Sequence, residues 1–387
     1  MNSSAVQSEP RVYLDHAASA PLNPRAAEVM LRHASRIGNP AALHGSGRAA
    51  RALLEDAREQ LAEAVGAHPT EVVFTSGGSE ADSIALHAGV QRPAHRSVLI
   101  GATEHPAVAT ARLRMPGVDV LRCDRDGLCD LEDLERRLSA STAMVSLMSV
   151  NNETGTVQPL SRVAELAHSH SAWLHTDAVQ ALGHTPLDFA DSGADLMSLS
   201  GHKVGAPVGI GALLVRRDLE LAPWGLGGGQ ERDIRSGTQP VVLAAAFAAA
   251  AQDAVEHLDR EHARLKELRQ HLVERVRSTI TGCFVNGSDE VSPAITNVTF
   301  DQTRADDVLL LLDQAGIDCS TGAACRAGVH QPSDVLLAMG RTLEQASASI
   351  RFSMGPQTTL AEVDRLCDEL PDVVSRARTA HASSQQD

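Results

Sequence analysis

The chain has 387 residues, enough for one large domain and a second, smaller one. Hydrophobic residues make up 43% and aromatic residues only 2%, so the core must be built from Ala, Leu, Val and Ile, which suits helices packed on a parallel sheet. The net charge of −15 argues against broad nucleic-acid binding, which needs clustered Lys and Arg, and no apolar run reaches the ~20 residues that span a bilayer.

Residues 1–10 are polar and read as a frayed end with no secretory pattern, so a cytoplasmic protein is expected. Residues 53–65 have helical spacing, and 71–74 form a short β-prone run that ends in a Gly-rich turn. Residues 97–100 and 144–150 read as buried strands, 162–170 as a helix, and 173–177, 195–200 and 210–215 as further strands. Residues 241–280 read as one long helix, alanine-rich first and then charged, followed by shorter elements over 281–375 and a polar tail from 378. This alternation predicts an α/β fold with a mainly parallel sheet. A domain boundary is placed near residue 258, inside the long helix.

The six cysteines (Cys123, Cys129, Cys283, Cys319, Cys325 and Cys367) contain no C-x-x-C pair, so free thiols are expected and no metal site.

Four segments carry chemistry. In 74–80, FTSGGSE, a strand runs into Gly77-Gly78 and a helix starts at Ser79; backbone N–H groups there can bind an anion, although taken alone the segment is more simply a turn capped by Ser79. In 175–180, HTDAVQ, Asp177 ends an apolar strand, where it could hold a protonated ring nitrogen or cap the next helix. In SLSGHKVGAP, Lys203 sits among small residues; it is one of only two lysines, the other being Lys266 on a charged helix, and a desolvated lysine amine forms Schiff bases. In STGAACRAG, little apolar bulk surrounds Cys325, and Arg326 beside it favours a reactive thiolate, whereas Cys319 reads as a buried structural cysteine.

Together these segments resemble pyridoxal-phosphate (PLP) enzymes of the aspartate-aminotransferase fold and, more narrowly, the NifS/IscS-type cysteine desulfurases of the class V aminotransferases. The resemblance runs from YLDHAASAP at 13–21 to SIRFSMG at 349–355, with TSGGSE, TEHPAV, VNNETG, HTDAVQ, SGHK, GGGQERDIRSGT and STGAAC in the family's order. It implies fold type I: a large PLP-binding domain over 14–258 with a mainly parallel seven-stranded sheet between helices. A smaller α+β domain, from 1–13 and 259–387, carries the catalytic cysteine loop.

The resemblance also implies roles. Lys203 is the Schiff-base lysine and proton shuttle, Asp177 the partner of the pyridinium nitrogen, and Gln180 the partner of the ring hydroxyl. Asn152 contacts cofactor or substrate, and His105 stacks on the ring as acid–base. Gly78, Ser79, Ser200 and His202 hold the phosphate, joined by Thr238 of a second subunit, which implies a homodimer. Arg351 clamps the substrate carboxylate. For His105, Arg351 and Asn152 the bland readings are a helix cap, a structural ion pair and a turn residue.

The implied activity is removal of sulfur from L-cysteine, giving L-alanine and a persulfide on Cys325 for an acceptor protein, such as an iron–sulfur scaffold. Other readings are a selenocysteine lyase or another PLP lyase or aminotransferase on the same fold, and more remotely a non-catalytic sulfur-relay protein. The sequence departs from the family's pattern at Arg326, at Ser83 and in AASAP, none of which touches the implied chemistry directly.

Overall fold

The computed structural model describes residues 10–92, 97–322 and 331–384. Its strands are β1 (Val12–Tyr13), β2 (Val72–Thr75), β3 (Ser97–Gly101), β4 (Val118–Leu121), β5 (Thr142–Ser146), β6 (Trp173–Asp177), β7 (Leu196–Ser200), β8 (Gly211–Val215), β9 (Cys283–Asn286), β10 (Ile295–Phe300), β11 (Ile317–Asp318) and β12 (Ser349–Ser353). Its helices are α1 (Pro24–His33), α2 (Gly45–Ala64), α3 (Gly78–Gln91), α4 (Pro106–Ala109), α5 (Ala111–Arg114), α6 (Leu131–Arg137), α7 (Leu160–Ser169), α8 (Phe189–Ser192), α9 (Val241–Glu256), α10 (Leu258–Thr279), α11 (Ala305–Gln314), α12 (Asp334–Ala338), α13 (Leu343–Ser347) and α14 (Leu360–Ser384).

Seven strands form one sheet in the order β2-β8-β7-β6-β5-β3-β4, and only β8 runs antiparallel to its neighbours. The inner strands are buried along their whole length, as LMSLS in β7 and GALLV in β8 require when helices cover both faces. On one face Leu54 and Leu61 of α2 and the alanines of α9 pack against Leu174, Met197, Leu199 and Leu214. On the other, Ile84 and Leu86 of α3 pack with Val98, Ile100, Leu213 and Val215. The expected mainly parallel sheet between helices is therefore present.

A separate core gathers Val12, Leu14 and Ala17 with Leu265, Leu268 and Leu272 of α10, the three-stranded antiparallel sheet β12-β10-β9, and Val363 to Ala377 of α14. The helix expected over 241–280 is two helices, bent by 68° at His257. The cause is a change of buried face. In α9 alanines are buried on most sides, whereas α10 buries only the stripe Leu265, Leu268, Leu272 and Val276, against the second core.

Three other expectations shift. The helix expected from 53 starts at Gly45, capped by His44 Nδ1, which accepts from Gly47 N–H at 3.2 Å. The strand expected over 144–150 ends at Ser146, and the Met148 N–H turns to Glu104 Oε1 at 2.7 Å. The tail expected to fray from 378 stays helical to Ser384, because Arg378 donates to the Asp301 and Thr281 carbonyls. Among the described residues, no single helix is long and apolar enough to cross a membrane.

Candidate active site

The C-terminal ends of the parallel strands converge on a cavity of about 350 Å³. β2 ends at Thr75, and α3 begins at Gly78, one residue before the expected start, with no side-chain cap on its N-terminus. A Cβ at Gly78 would lie 2.6 Å from Val179 Cγ2 and 3.5 Å from Ser200 Cβ, so only glycine allows this approach. The first-turn amides of α3 have no helical partner, and Gly78 and Ser79 line the cavity, so its positive end is offered to an anion. Ser200, at the end of β7, and His202 line the same corner. Burial, then Lys203, pushes the His202 imidazole down to about 4, so the ring is neutral near pH 7 and keeps one N–H to donate.

β6 delivers Asp177, which is 4% exposed and accepts from Val179 N–H at 2.9 Å. It therefore caps the following turn and also faces the cavity. Burial raises its pKa, against the pull of that N–H, His105 and Lys203. Three residues on, Gln180 Nε2 donates to the Ala17 carbonyl at 2.9 Å. Lys203 follows β7 through a single 3-10 turn, and its Nζ donates to the carbonyls of Ala17 and Ala18 at 2.6 and 2.9 Å. Burial and the Arg351 charge bring its pKa down to about 8, within reach of a neutral nucleophilic amine. His105 caps α4, accepting from Ala107 N–H at Nδ1, so its neutral ring carries the proton on Nε2. Burial lowers its pKa, and Lys203 adds to this while Asp177 opposes it.

The facing wall hangs on the second core. Arg351, in β12 and 4% exposed, donates from Nη2 to Asp15 Oδ1 at 2.7 Å and from Nη1 to the Asn152 carbonyl at 2.8 Å. Arg351 thus makes an ion pair through Nη2 alone, while its buried Nε has no partner among the described residues. The Asn152 Oδ1 is likewise buried and unpartnered there. Ser320 and Gly322 complete this wall. Cys325 and Arg326 lie outside the described residues. Cys319, expected to be buried, is half-buried and packs against the second core, and burial pushes its thiol far up.

Two carboxyl groups in the cavity lining went unread in the sequence. Asp82, on the second turn of α3, is 1% exposed, and its carboxylate, the His105 ring and Asp177 place ligating atoms within 4.8 Å of one another. Burial and the Asp177 charge raise its pKa well above the usual aspartate value, which favours its protonated form. Glu153 accepts from Ser333 Oγ at 2.5 Å, and burial raises it to about 7. The period of α3 could have placed Asp82 on the cavity side, but its chemistry needs Asp177 as a neighbour.

Thr238 is exposed and does not line the cavity. It follows three consecutive residues with left-handed backbone, Glu231, Arg232 and Asp233 at φ 45°, 60° and 60°. Arg58 anchors this tract, donating to both Glu231 oxygens at 2.8 and 2.9 Å, while the Phe74 N–H donates to Glu231 Oε2. Buried two-point pairing of this kind offsets the backbone strain of the tract that precedes Thr238.

A family model described as aminotransferase class-V matches residues 12–366. A Mycobacterium tuberculosis protein named IscS-like cysteine desulfurase is 44% identical over 383 residues, covering 95% of this chain and 97% of that protein. The solved structure of a NifS-like protein from Rickettsia africae superposes with a TM-score of 0.88 at 28% identity, covering 94% of this chain and 99% of that one. DndA from Streptomyces lividans superposes with a TM-score of 0.73 at 38% identity, covering 86% and 96%. A half-buried lysine and a buried aspartate stand at adjacent strand ends beside a glycine-led helix N-terminus, and by these likenesses the chain belongs to the class-V aminotransferase family, among its NifS/IscS-type cysteine desulfurases.

Proposed function

We propose that this enzyme uses PLP to take sulfur from L-cysteine, releases L-alanine, and holds the sulfur as a persulfide on Cys325 for an acceptor. The observation that carries the reading is the cavity itself. Lys203, Asp177 and His105 face one space whose corner is the unpartnered N-terminus of α3.

The donor set fits the cofactor. The α3 amides, Ser79, Ser200 and His202 would take the phosphate, Asp177 the ring nitrogen and Gln180 the ring hydroxyl, and the unpartnered Asn152 Oδ1 lies on the same cavity. When bound, PLP supplies an electron sink for the carbanion formed at the amino acid's Cα. Lys203, with its pKa near 8, would hold the cofactor and carry the substrate's proton. Asp177 would pair with the ring nitrogen and favour its charged form, with His105 and Lys203 drawing its pKa down against burial.

Arg351 would turn its guanidinium from Asp15 toward the substrate carboxylate, a like-for-like exchange of partners. Attack of the Cys325 thiolate on the substrate sulfur forms the S–S bond and breaks the C–S bond, and the carbon takes up protons to leave as alanine. Thr238 would reach a partner subunit's phosphate site, making the enzyme a homodimer. We also take 14–258 as the cofactor domain and the rest as the domain carrying Cys325; the two separate cores support that division, although Leu14 and Ala17 pack with the second.

The test is Cys325→Ser. The variant should keep the visible absorbance of bound cofactor and lose sulfide release from L-cysteine in the presence of a reductant. Normal sulfide output from the variant would refute the assignment.

A further inference from the structure

Cys123 and Cys129 stand opposite each other across a short hairpin that follows β4. Asp124 closes it: its side chain accepts from the Asp126 and Leu128 N–H groups, and Gly127 takes φ 83°. The backbone bonds run from Asp124 N to Leu128 O and from Asp130 N to Arg122 O, both 2.9 Å. They flank the cysteine pair, which is therefore a non-hydrogen-bonded pair with both side chains on one face. Such pairs hold Cα atoms about 4.5 Å apart, inside the range a disulfide spans.

The hairpin is held on both sides. Cys129 N donates to Gln158 Oε1 at 3.0 Å, and Gln158 Nε2 returns a bond to the Gly127 carbonyl at 2.6 Å. Cys129 is buried, whereas Cys123 is half-buried and packs against the small cluster formed by α12 and α13. Its thiol donates to the Ala338 carbonyl at 3.3 Å. Ala338 ends α12, the first described helix after Cys325.

We propose that Cys123 and Cys129 form a second, dithiol redox site that closes to a cross-strand disulfide at the expense of a low-molecular-weight disulfide. Cys123 is the more accessible thiol and reacts first: its sulfur displaces one thiol from the small disulfide and leaves a mixed disulfide. Cys129 then attacks the Cys123 sulfur and expels the second thiol. The small disulfide takes the electron pair, and both protons end on the released thiols.

Burial raises the two thiols to about 11 and about 12, so exchange near neutral pH is slow and quickens as the solution is made alkaline. The ring closed is short, so the bond adds little stability and stays reducible. Once oxidised, Cys123 has no proton to donate to Ala338, and α12 loses that tie to the hairpin.

The test uses the full-length protein and oxidised glutathione in mildly alkaline buffer, followed by alkylation, unfolding, trypsin digestion and mass spectrometry. The expected product is Cys123-Asp-Arg disulfide-linked to the peptide running from Asp126 to Arg136, reversed by dithiothreitol and absent in Cys123→Ser. Cys129→Ser should instead stop at glutathione on Cys123. Two fully alkylated cysteines after treatment, or glutathione on each without a link, would overturn the proposal. Amide exchange at Met339 and Gly340 should quicken several-fold in the oxidised protein; unchanged exchange would overturn the coupling to α12.

Discussion

The two walls of the cavity are anchored differently. On the sheet wall Asp177, Ser200 and Lys203 stand at or just after the ends of buried strands, and Gly78 is locked by close contact with Val179. On the facing wall Arg351 comes from a different core and is already engaged by Asp15 and the Asn152 carbonyl. To receive the proposed cofactor the sheet wall would keep its backbone, and only the Lys203 amine and the Gln180 amide would leave the Ala17 and Ala18 carbonyls. On the proposed function the other wall would also exchange partners, Arg351 leaving Asp15 for the substrate carboxylate. On the proposed reading, side chains anchored at buried strand ends serve the permanent ligand, and a guanidinium from the second core serves the transient one.

The largest expected effect breaks the sheet wall. Lys203→Ala should lower turnover of L-cysteine by about 1,000-fold or more, since it removes both nucleophile and proton carrier, while thermal unfolding stays close to wild type. A loss below tenfold would contradict the role.

Glu153 sharpens the other wall through pH. Its buried carboxyl has a folded pKa of about 7 against 4.5 when exposed, so folding favours the protonated form. That contribution is fully present below 4.5 and is lost as pH rises toward 7, a span worth about 3 kcal/mol. Urea unfolding of Glu153→Gln across this range should show a flatter pH dependence than wild type by about that amount. Parallel profiles would show that Glu153 is ionised in the folded protein.

Arg351→Lys keeps the charge and loses the fork. It should lower kcat/KM for L-cysteine by about 30-fold, equivalent to about 2 kcal/mol, mostly through KM, and leave cofactor affinity unchanged. An effect confined to cofactor affinity would assign Arg351 to the sheet wall's task.

The smallest effect concerns Asp82. Burial and the Asp177 charge favour its protonated form, so Asp82→Asn should act as a near-neutral exchange and change cofactor affinity by less than about 1 kcal/mol. A much larger loss, measured by cofactor titration of the apoprotein, would mean that Asp82 is ionised.

The same contrast explains what was legible in the sequence. β6 and β7 could be read because their functional residues follow apolar runs directly, and HTDAVQ and SGHK keep local spacing. The break at His257 could not be read, because both halves are good helix and only the existence of a second core turns the chain. Asp82 and Glu153 were missed because a buried carboxylic acid looks in sequence like any surface acid on a helix or in a turn. The pairing of Cys123 with Cys129 was missed for a related reason: the hairpin that sets them opposite each other is held by Asp124 and Gln158, not by a cysteine motif.

The central claim is that the Lys203 cavity holds PLP on that lysine. Borohydride reduction of the purified yellow protein followed by peptide mapping tests it directly, because the chain has only one other lysine, Lys266. The account predicts a pyridoxyl group on Lys203 alone. A label on Lys266, or none on a protein that stays colourless after PLP is added, would contradict it.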